Sequence, residues 1–333
     1  MTDAVLELPE PILIVGGYGY RNVGDEAILA GLLERLAHRR VTVVSRSPEE
    51  TSPTHGVRSV SIGNALPELL RHRSVIIGGG GLFGRDMGGL GRLLPGFGLL
   101  SQAMGRPVAL IGVGIDLDRS GPGATLLRIL ARRAVAVEVR DAASREVLRS
   151  WGIDGVVRPD LSSLMPALGP EIGRSILDAA GVDRSRPVIG LCLTAVDAAL
   201  AEALSGAVAP VVDQFPDVEF VFLPMSQHPF VMQHNDVELA RSLQSRAPRI
   251  RVVEGSHHPA AIRSLFDSLT AAVCMRYHSL LFAHDAGVPI IALPYAAKCR
   301  AWLAEHGARS TEPTVEALTD AVRAVLPVLS LSR

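Results

Sequence analysis

Two cations and an imidazole follow apolar segments near the C-terminus. The stretch CMRYHSLLFAHDAGVPIIALPYAAK covers residues 274–298 and contains Arg276, His278 and Lys298. An arginine grips a carboxylate or phosphate through two parallel hydrogen bonds, and a lysine adds a point charge. These residue types, placed after two buried strands, predict a site for a small, doubly anionic ligand. The alternative for His278 is a histidine that begins a helix or fills the core.

Arg140 is a third candidate for holding an anion. It follows the apolar segment VAVEV, where a predicted strand ends, and Asp141 comes next. Each arginine also has a structural explanation, in which Arg140 pairs with Asp160 and Arg276 pairs with Asp141. The sequence leaves both explanations open, because a strand-end arginine serves either purpose.

Glycines gather after two other apolar segments. GGYGYRNVGDEA (16–27) follows the first predicted strand, and GGGGLFGRD (78–86) follows the third. Glycine tolerates positive φ and lets a ligand or a second backbone approach closely. A turn needs one or two glycines, so a run of four predicts such an approach, although a crowded strand–helix crossing would also explain it. The glycines assigned to substrate binding are Gly17, Gly79, Gly80 and Gly81.

Asn22 and Asp25 lie in the first of these stretches, at the start of a predicted helix. Amide groups at a helix N-terminus carry partial positive charge and attract anions, and polar side chains there are placed to contact a ligand. The simpler explanation is helix capping, which asparagine and aspartate often provide. The spacing is not GxGxxG, so no dinucleotide site is predicted.

These clusters share a position relative to the predicted elements. Short apolar runs such as PILIV, VTVVS and VIGLCL alternate with amphipathic stretches, a pattern typical of parallel sheets between helices. Ligands of such sheets bind beyond the carboxyl ends of the strands, where nearly every unusual cluster falls. We therefore expect an α/β protein with two Rossmann-like domains, residues 1–168 and 169–333, whose parallel sheets face a cleft. LSSLMPALGPEIG (161–173) is the expected linker.

Composition excludes several classes of function. Of 333 residues, 48% are hydrophobic and 20% are charged, which indicates a globular protein. The formal net charge of -1 provides no field to attract nucleic acid. Three scattered cysteines favour a reducing, cytoplasmic compartment, and the absence of CxxC and HExxH spacings predicts no metal site. The segment 269–296 comes nearest to a membrane span, but charged residues and histidines interrupt it.

Together these segments resemble the polysaccharide pyruvyl transferase family. The matching segments are GGYGYRNVGDEAIL, VIIGGGGLF, GVGI, VRDAASREVLRSWGI with PDLS, and MRYHSLLFAHDAGVPIIALPYAAK. The resemblance implies a GT-B-like fold of two Rossmann-like domains. Two positions depart from the family pattern, since Ala296-Ala297 stands where the family often has Asp-Pro, and Tyr277 where it often has leucine.

The resemblance also implies an activity. The family transfers pyruvate from phosphoenolpyruvate to two hydroxyls of a sugar, which forms a cyclic ketal and releases phosphate. Residues of its donor site match Arg140, Arg276, His278 and Lys298 here. No metal or organic cofactor is implied, because phosphoenolpyruvate is a co-substrate that brings its own leaving group.

This reaction assigns a role to each candidate. His278 is the expected acid or acts beside the phosphate, and Asp25 is the expected base on the acceptor side. Arg276 is expected to be catalytic as well as donor-binding. The remaining substrate-binding candidates are Arg140, Lys298, Asn22, Ser279 and the four glycines named above.

The expected partners are phosphoenolpyruvate and a sugar or lipid-linked glycan, with the first domain on the acceptor side and the second on the donor side. A nucleotide-sugar glycosyltransferase is the alternative, although no acidic residue follows Lys298 until Glu305 to bind a ribose. No nucleic-acid partner is predicted. Arg128, Arg132 and Arg133 allow a peripheral membrane contact at the cytoplasmic face, but a solvated helix face explains them more simply.

Overall fold

The chain forms two compact units. The computed structural model describes residues 3–84, 90–116, 121–231 and 235–326. The first unit contains Met1–Tyr20 and Gly24–Pro166, and the second contains Arg21–Val23 and Ala167–Arg333. The division thus follows Pro166 rather than residue 168, and it assigns Arg21–Val23 to the second unit, which the sequence did not predict.

The first unit combines parallel strands with helices. Its strands are β1 (Ile12–Val15), β2 (Val41–Ser45), β3 (Arg58–Ser61), β4 (Ser74–Gly78), β5 (Phe83–Gly84), β6 (Val108–Val113), β7 (Ile115–Asp116), β8 (Ala136–Val139) and β9 (Val156–Val157). Its helices are α1 (Val23–Arg35), α2 (Pro48–His55), α3 (Ala65–Arg71), α4 (Leu90–Ala103), α5 (Pro122–Arg132) and α6 (Ala142–Ser150). Single 3₁₀ turns lie at Ile62–Asn64 and Leu161–Leu164.

The main sheet of the first unit is buried on both faces. Its described strands run in the order β3-β2-β1-β4-β6-β8-β9, and every pairing is parallel. Alternate residues of β1 enter different cores, because successive side chains of a strand point to opposite faces. Ile12 and Ile14 pack with α1, whereas Leu13 and Val15 belong to the core under α3, α4 and α5. This double coverage explains why the strands are apolar without alternation.

The second unit repeats the arrangement with fewer strands. They are β10 (Val188–Cys192), β11 (Glu219–Phe222), β12 (Arg251–Val252), β13 (Ala271–Cys274) and β14 (Ile290–Ala292). The helices are α7 (Pro170–Ala179), α8 (Ala198–Gln214), α9 (Asp236–Arg246), α10 (Pro259–Phe266), α11 (Tyr277–Asp285), α12 (Ala297–Glu305) and α13 (Val315–Val325). The order β12-β11-β10-β13-β14 is parallel throughout.

Each sheet contains a topological switch point, where the strand order reverses. In the first sheet it lies between β1 and β4, and in the second between β10 and β13. Chain connections leave such a point in opposite directions, which opens a crevice at the carboxyl ends of the two strands. The stretch 16–27 follows β1, the glycine run follows β4, and Arg276 follows β13. The strand order thus brings the predicted clusters to these two crevices.

The segment interpreted as a linker is largely structured. Leu161 begins a 3₁₀ turn and is buried in the core with α1, and α7 begins at Pro170. The boundary between the two units, after Pro166, nevertheless lies within this segment, between the 3₁₀ turn and α7. Pro170 occupies the first turn of a helix, where its missing N–H costs nothing.

Two end-of-helix features follow their sequence signals. Threonine is favoured at the N-cap, and the Oγ1 of Thr314 accepts a hydrogen bond from the Ala317 amide at 3.3 Å at the start of α13. His258 caps α10 by accepting from the Ala260 amide. Within the described residues, no helix has the length and apolar character needed to cross a bilayer.

Gly173 should be irreplaceable in α7, although alanine is the better helix former. A Cβ at this position would lie 2.4 Å from both the Leu265 amide nitrogen and the Ser264 carbonyl oxygen of α10. Gly173→Ala should therefore lower the free energy of unfolding of the second unit by about 1–3 kcal/mol. The measurement is chemical denaturation followed by Trp302 fluorescence in a Trp151→Phe background, since the chain has two tryptophans.

Gly206→Ala is the matched control in α8, where an added Cβ would meet nothing within 4 Å. It should raise the free energy of unfolding by about 0.5–1 kcal/mol through helix propensity alone. Equal effects of the two substitutions would contradict the packing explanation.

Candidate functional site

Arg276 lies at the switch point of the second sheet. It follows β13 and is the N-cap residue of α11. Its guanidinium donates to Asp236 twice, from Nε to Oδ2 at 2.8 Å and from Nη2 to Oδ1 at 2.6 Å. Nη2 also donates to Oγ1 of Thr194, at 2.9 Å. Since Thr194 follows β10, these contacts join the two strands that flank the crevice.

Asp236 is the buried anchor of this arrangement. Its side chain is only 1% exposed, and it begins α9. Besides Arg276, its Oδ2 accepts from the Ser226 amide at 2.9 Å. A buried carboxylate needs such partners, because leaving water is costly for an unpaired charge. Arg276 therefore takes part in a structural ion pair, as one sequence explanation allowed, but its partner is Asp236 instead of Asp141.

Tyr277 brings His278 and Lys298 to the same place. The Lys298 ammonium lies 5.9 Å from the centroid of the Tyr277 ring, and the His278 ring packs edge-on against that ring at 5.5 Å. His278 is in the first turn of α11, and Lys298 is in the first turn of α12. The tyrosine that departs from the family pattern is thus a cation–π partner of the lysine. Two helix N-termini add partial positive charge at this edge.

Ser279 is fully buried beneath this turn. Its hydroxyl donates to the Arg276 carbonyl oxygen at 2.6 Å, and its own carbonyl accepts from the Cys274 thiol. Burial, followed by the contact with Cys274, holds the pKa of the Cys192 thiol well above its usual value. The serine therefore fixes the backbone that carries Arg276.

Asn22 belongs to the second unit. Its backbone forms an antiparallel bridge with Ser226, flanked by hydrogen bonds from Val23 N to Met225 O and from Gln227 N to Arg21 O. The amide of Ser226 also donates to Asp236, which binds Arg276. Asn22 is therefore linked to Arg276 through Ser226 and Asp236. The sequence analysis had grouped Asn22 with the first glycine stretch, and the pairing across 200 residues could not be predicted.

Arg140 occupies a slot lined by glycines at the carboxyl edge of the first sheet. Its side chain is 6% exposed, and its Nε lies 3.5 Å from Oδ2 of Asp141. A Cβ on Gly114 would be 2.7 Å from Arg140 Nε, and a Cβ on Gly80 would be 3.0 Å from Nη1. The two glycines are linked by a hydrogen bond from Gly114 N to Gly80 O at 2.7 Å. The guanidinium fits because these positions lack side chains.

Asp25 shares that slot. Its Oδ1 lies 3.3 Å from the position of a Cβ on Gly80, and its Oδ2 lies 3.9 Å from that of a Cβ on Gly17. Gly81 also lies beside the guanidinium of Arg140. A Cβ on Gly81 would be 3.7 Å from Nη2 of that arginine. The first unit thus brings together Asp25, Arg140 and the glycines predicted from both stretches.

The glycine run includes a close approach of a second backbone, as one explanation predicted. A Cβ on Gly16 would lie 2.1 Å from Gly78 O, so the strand ends are crowded together. Gly79 has φ of +118°, a conformation that side chains rarely adopt. Gly80 instead makes room for charged side chains. Arg85 and Asp86, at the end of this stretch, lie outside the described residues.

A buried tyrosine lies beneath the glycine run. The hydroxyl of Tyr18 has no hydrogen-bond partner among the described residues. Burial, and then the carboxylates of Asp25 and Glu26, hold its pKa well above the usual value. Glu26 is itself engaged, since its Oε1 accepts from the Gly19 amide at 2.8 Å and its Oε2 contacts His55 at 2.8 Å. Glu26 therefore shapes the loop and Asp25 remains the candidate base.

The sequence analysis missed Asp236 and Thr194. Thr194 stands directly after the predicted strand VIGLCL, so its position offered a signal. Asp236 offered none, because an acidic residue in the first turn of a helix is ordinarily explained by the helix dipole. No group of three or more metal-ligating side chains occurs in the described parts of the chain.

The family is shown by comparison with known sequences. The model described as polysaccharide pyruvyl transferase matches residues 22–296, which includes the arginines, His278 and most of the glycine positions. The chain belongs to the polysaccharide pyruvyl transferase family. This membership confirms the predicted family and the predicted class of enzyme. A search of the curated proteins finds no significant match.

Solved structures share the fold of this pyruvyl transferase family member. The S. aureus MnaA–UDP co-structure has a TM-score of 0.66 and 13% identity, over 95% of this chain and 87% of that chain. The UDP-GlcNAc 2-epimerase from Neisseria meningitidis, bound to UDP-GlcNAc, has a TM-score of 0.64 and 12% identity, over 94% and 90%. E. coli ADP-heptose LPS heptosyltransferase II has a TM-score of 0.53 and 13% identity, over 96% of this chain and 100% of that chain. These likenesses confirm the predicted GT-B-type α/β fold.

Asp236→Ala should destabilise the second unit of this pyruvyl transferase family member. The substitution leaves the Arg276 guanidinium without its carboxylate, which costs about 3–5 kcal/mol for a buried pair. The free energy of unfolding is measured from Trp302 fluorescence in a Trp151→Phe background. The double variant Asp236→Ala/Arg276→Ala should recover part of the loss, because no charge is then left unpaired.

Glu202→Ala is the control, since it removes an exposed partner of Arg246 in the same unit. Exposed pairs contribute little, so its stability should stay near that of the parent protein. If Asp236→Ala were as mild as Glu202→Ala, Asp236 would not anchor the site.

Proposed function

We propose that this enzyme transfers the pyruvyl group of phosphoenolpyruvate to two hydroxyls of a sugar, which yields a ketal and phosphate. The observation that supports it best is the grouping of Arg276, His278 and Lys298 at one edge of the second sheet, around Tyr277. Phosphoenolpyruvate carries a carboxylate and a phosphate on a three-carbon frame. Binding both anionic groups requires fixed positive charge, because neither tolerates burial alone.

The arginines and the lysine would divide the two anionic groups of the donor. Asp236 and Thr194 hold the guanidinium plane of Arg276, so little side-chain entropy remains to be lost on binding. Asp236 balances the charge of Arg276, and Lys298 and the helix N-termini add positive charge beside this pair. Arg140 keeps its proposed role as a second arginine for the donor.

The chemistry then needs one acid and one base. Proton donation to the methylene carbon of phosphoenolpyruvate makes C2 electrophilic, and a first sugar hydroxyl adds there. The C2–O bond to phosphate breaks, and the second hydroxyl closes the ring and gives its proton to phosphate or to a base. We assign His278 to the acid or to the phosphate side, and Asp25 to the hydroxyl proton.

The other predicted residues support these groups. Gly17, Gly79, Gly80 and Gly81 would let the acceptor approach the backbone beside Asp25. Asn22 is proposed to contact substrate from the strand that pairs with Ser226. Ser279, whose hydroxyl is bound to the Arg276 carbonyl, is proposed to act by holding that turn.

A direct assay tests the reaction. The enzyme is incubated with phosphoenolpyruvate and a panel of glycosides with neighbouring hydroxyls, and phosphate release is followed with product mass. We expect release that depends on a sugar diol, with a product heavier than the acceptor by one pyruvic acid less one water. Turnover of UDP-glucose or UDP-GlcNAc with no use of phosphoenolpyruvate would instead identify a glycosyltransferase, which the GT-B-type fold also permits.

Lys298 gives an independent measure of donor binding, because it is the only lysine in the chain. Amine-reactive labelling followed by peptide mass spectrometry should modify this side chain, and phosphoenolpyruvate should protect it. Labelling that the donor leaves unchanged would contradict the assignment of Lys298.

Gly114→Ala should weaken donor use without removing any charged group. Its Cβ would lie 2.7 Å from Arg140 Nε, so the guanidinium must move. Losing a charge-assisted hydrogen bond costs about 1.5–3 kcal/mol, so kcat/KM for phosphoenolpyruvate should fall roughly tenfold to hundredfold.

Gly96→Ala is the control within the same unit, because an added Cβ there meets nothing within 4 Å. Its kinetics should match those of the parent enzyme. An unchanged kcat/KM in Gly114→Ala would exclude Arg140 from the donor site.

A further inference from the structure

The first unit carries an apolar surface on the helices that cover one face of its sheet. We call it the α3–α5 surface and define it by the exposed side chains of Leu66, Leu70, Leu93, Leu100, Met104 and Ile129. Leu93 is 71% exposed and Leu70 is 66% exposed, so about two thirds of each leucine is in contact with solvent. Single exposed leucines are common, but a contiguous set marks an interaction site.

The exposed residues lie in rows along the helices. On α4, Leu93, Leu100 and Met104 are separated by seven and four residues, which places them on one side of a helix with 3.6 residues per turn. On α3, Leu66 and Leu70 are four residues apart. The opposite sides of these helices, through Leu69 and Leu94, enter the core. The outer rows are thus a second apolar side that the unit leaves uncovered.

The three helices form one continuous layer. α4 and α5 touch closely, because a Cβ on Gly98 would lie 2.8 Å from Leu130, and Gln102 Nε2 donates to Leu130 O at 3.2 Å. Arg106, shortly after α4, donates from Nη2 to Leu70 O at the end of α3, at 3.0 Å. The rows of α4 and α5 therefore adjoin, and the row of α3 lies over the same core, joined to the chain that follows α4.

This layer is strongly basic. The stretches 62–73, 90–115 and 121–137 contain seven arginines and a single carboxylate, Glu68. Glu68 is buried and accepts hydrogen bonds from Arg58 at 2.8 Å and Arg71 at 2.9 Å. The hydrogen bond from Arg58 is the main reason that the pKa of Glu68 falls to about 2. Arg92, Arg132 and Arg133 are exposed at the surface itself. These stretches thus present cations and leucines but no exposed carboxylate.

The charge of the α3–α5 surface indicates what kind of partner binds there. A symmetric contact with a second copy of the chain would place these arginines against themselves, which is unfavourable. A bilayer with anionic lipids offers phosphates for the arginines and an apolar interior for the leucines. The formal net charge of the whole chain is -1, so this attraction is a property of the layer and not of the protein as a whole.

We propose that the α3–α5 surface docks the protein on a bilayer that contains anionic lipids. Leu66, Leu70, Leu93, Leu100 and Met104 enter the headgroup region, and the arginines beside them contact lipid phosphates. The docking does not depend on the proposed reaction, although it would place the enzyme where a lipid-linked sugar acceptor is found.

Vesicle flotation tests the proposal with the full chain. The probes are vesicles of phosphatidylcholine with roughly one third phosphatidylglycerol, and vesicles of phosphatidylcholine alone. We expect binding to the anionic vesicles only, and weaker binding when the salt concentration is raised from about 0.1 M to about 0.5 M, because screening reduces the attraction. Leu93→Glu/Leu100→Glu and Arg92→Glu/Arg133→Glu should each lower the partition coefficient at least about tenfold.

Matched controls carry the same chemical changes elsewhere. Val156→Glu alters an exposed apolar residue of the first unit outside the layer, and Arg323→Glu reverses an exposed arginine of the second unit. Both should bind vesicles like the parent protein. The proposal is overturned if the parent protein does not float with anionic vesicles or if the double variants still do. It is also overturned if sedimentation shows a dimer that Leu93→Glu/Leu100→Glu separates. Phosphate release with water-soluble substrates, measured on the same variants, reports on the reaction separately.

Discussion

The candidate site of the second unit depends on the ion pair between Arg276 and Asp236. A guanidinium and a carboxylate with this little exposure are stable only together, since each would otherwise lose its hydration without compensation. The pair joins the end of β13 to the start of α9. A hydrogen bond from Arg276 to Thr194 connects both to the end of β10. The turn that carries His278 is fixed as a consequence. A charged group that must be paired for stability thus also sets the direction of the residues around it.

The first unit places its arginine beside backbone that carries no side chains. Arg140 lies next to Gly80 and Gly114, and the missing Cβ atoms leave room for its guanidinium. In each unit an arginine stands at the carboxyl edge of the sheet beside a switch point, where the fold itself opens a crevice.

Charge is segregated within a chain that is nearly neutral overall. The layer of α3, α4 and α5 is basic because its one carboxylate is buried between Arg58 and Arg71. The rest of the chain must then be acidic by a similar amount, since the formal net charge is -1. Net charge alone therefore excluded a general affinity for polyanions, but it could not reveal an oriented surface of this kind.

The sequence by itself determined the family, the α/β fold class and most of the strands, because residue type and apolar periodicity are local properties. It also singled out Arg140, Arg276, His278 and Lys298 as candidates, since each follows an apolar segment. The predicted linker 161–173 contains the boundary after Pro166, but the sequence did not show that Pro170 begins a helix. Only the tertiary structure decided that Asp236 pairs with Arg276, that Asn22 joins Ser226, and that Leu69 and Leu94 enter one core. Those relations join residues that are distant along the chain, and strand order and packing create them. No local sequence pattern indicates which distant residue will form an ion pair with a buried charge.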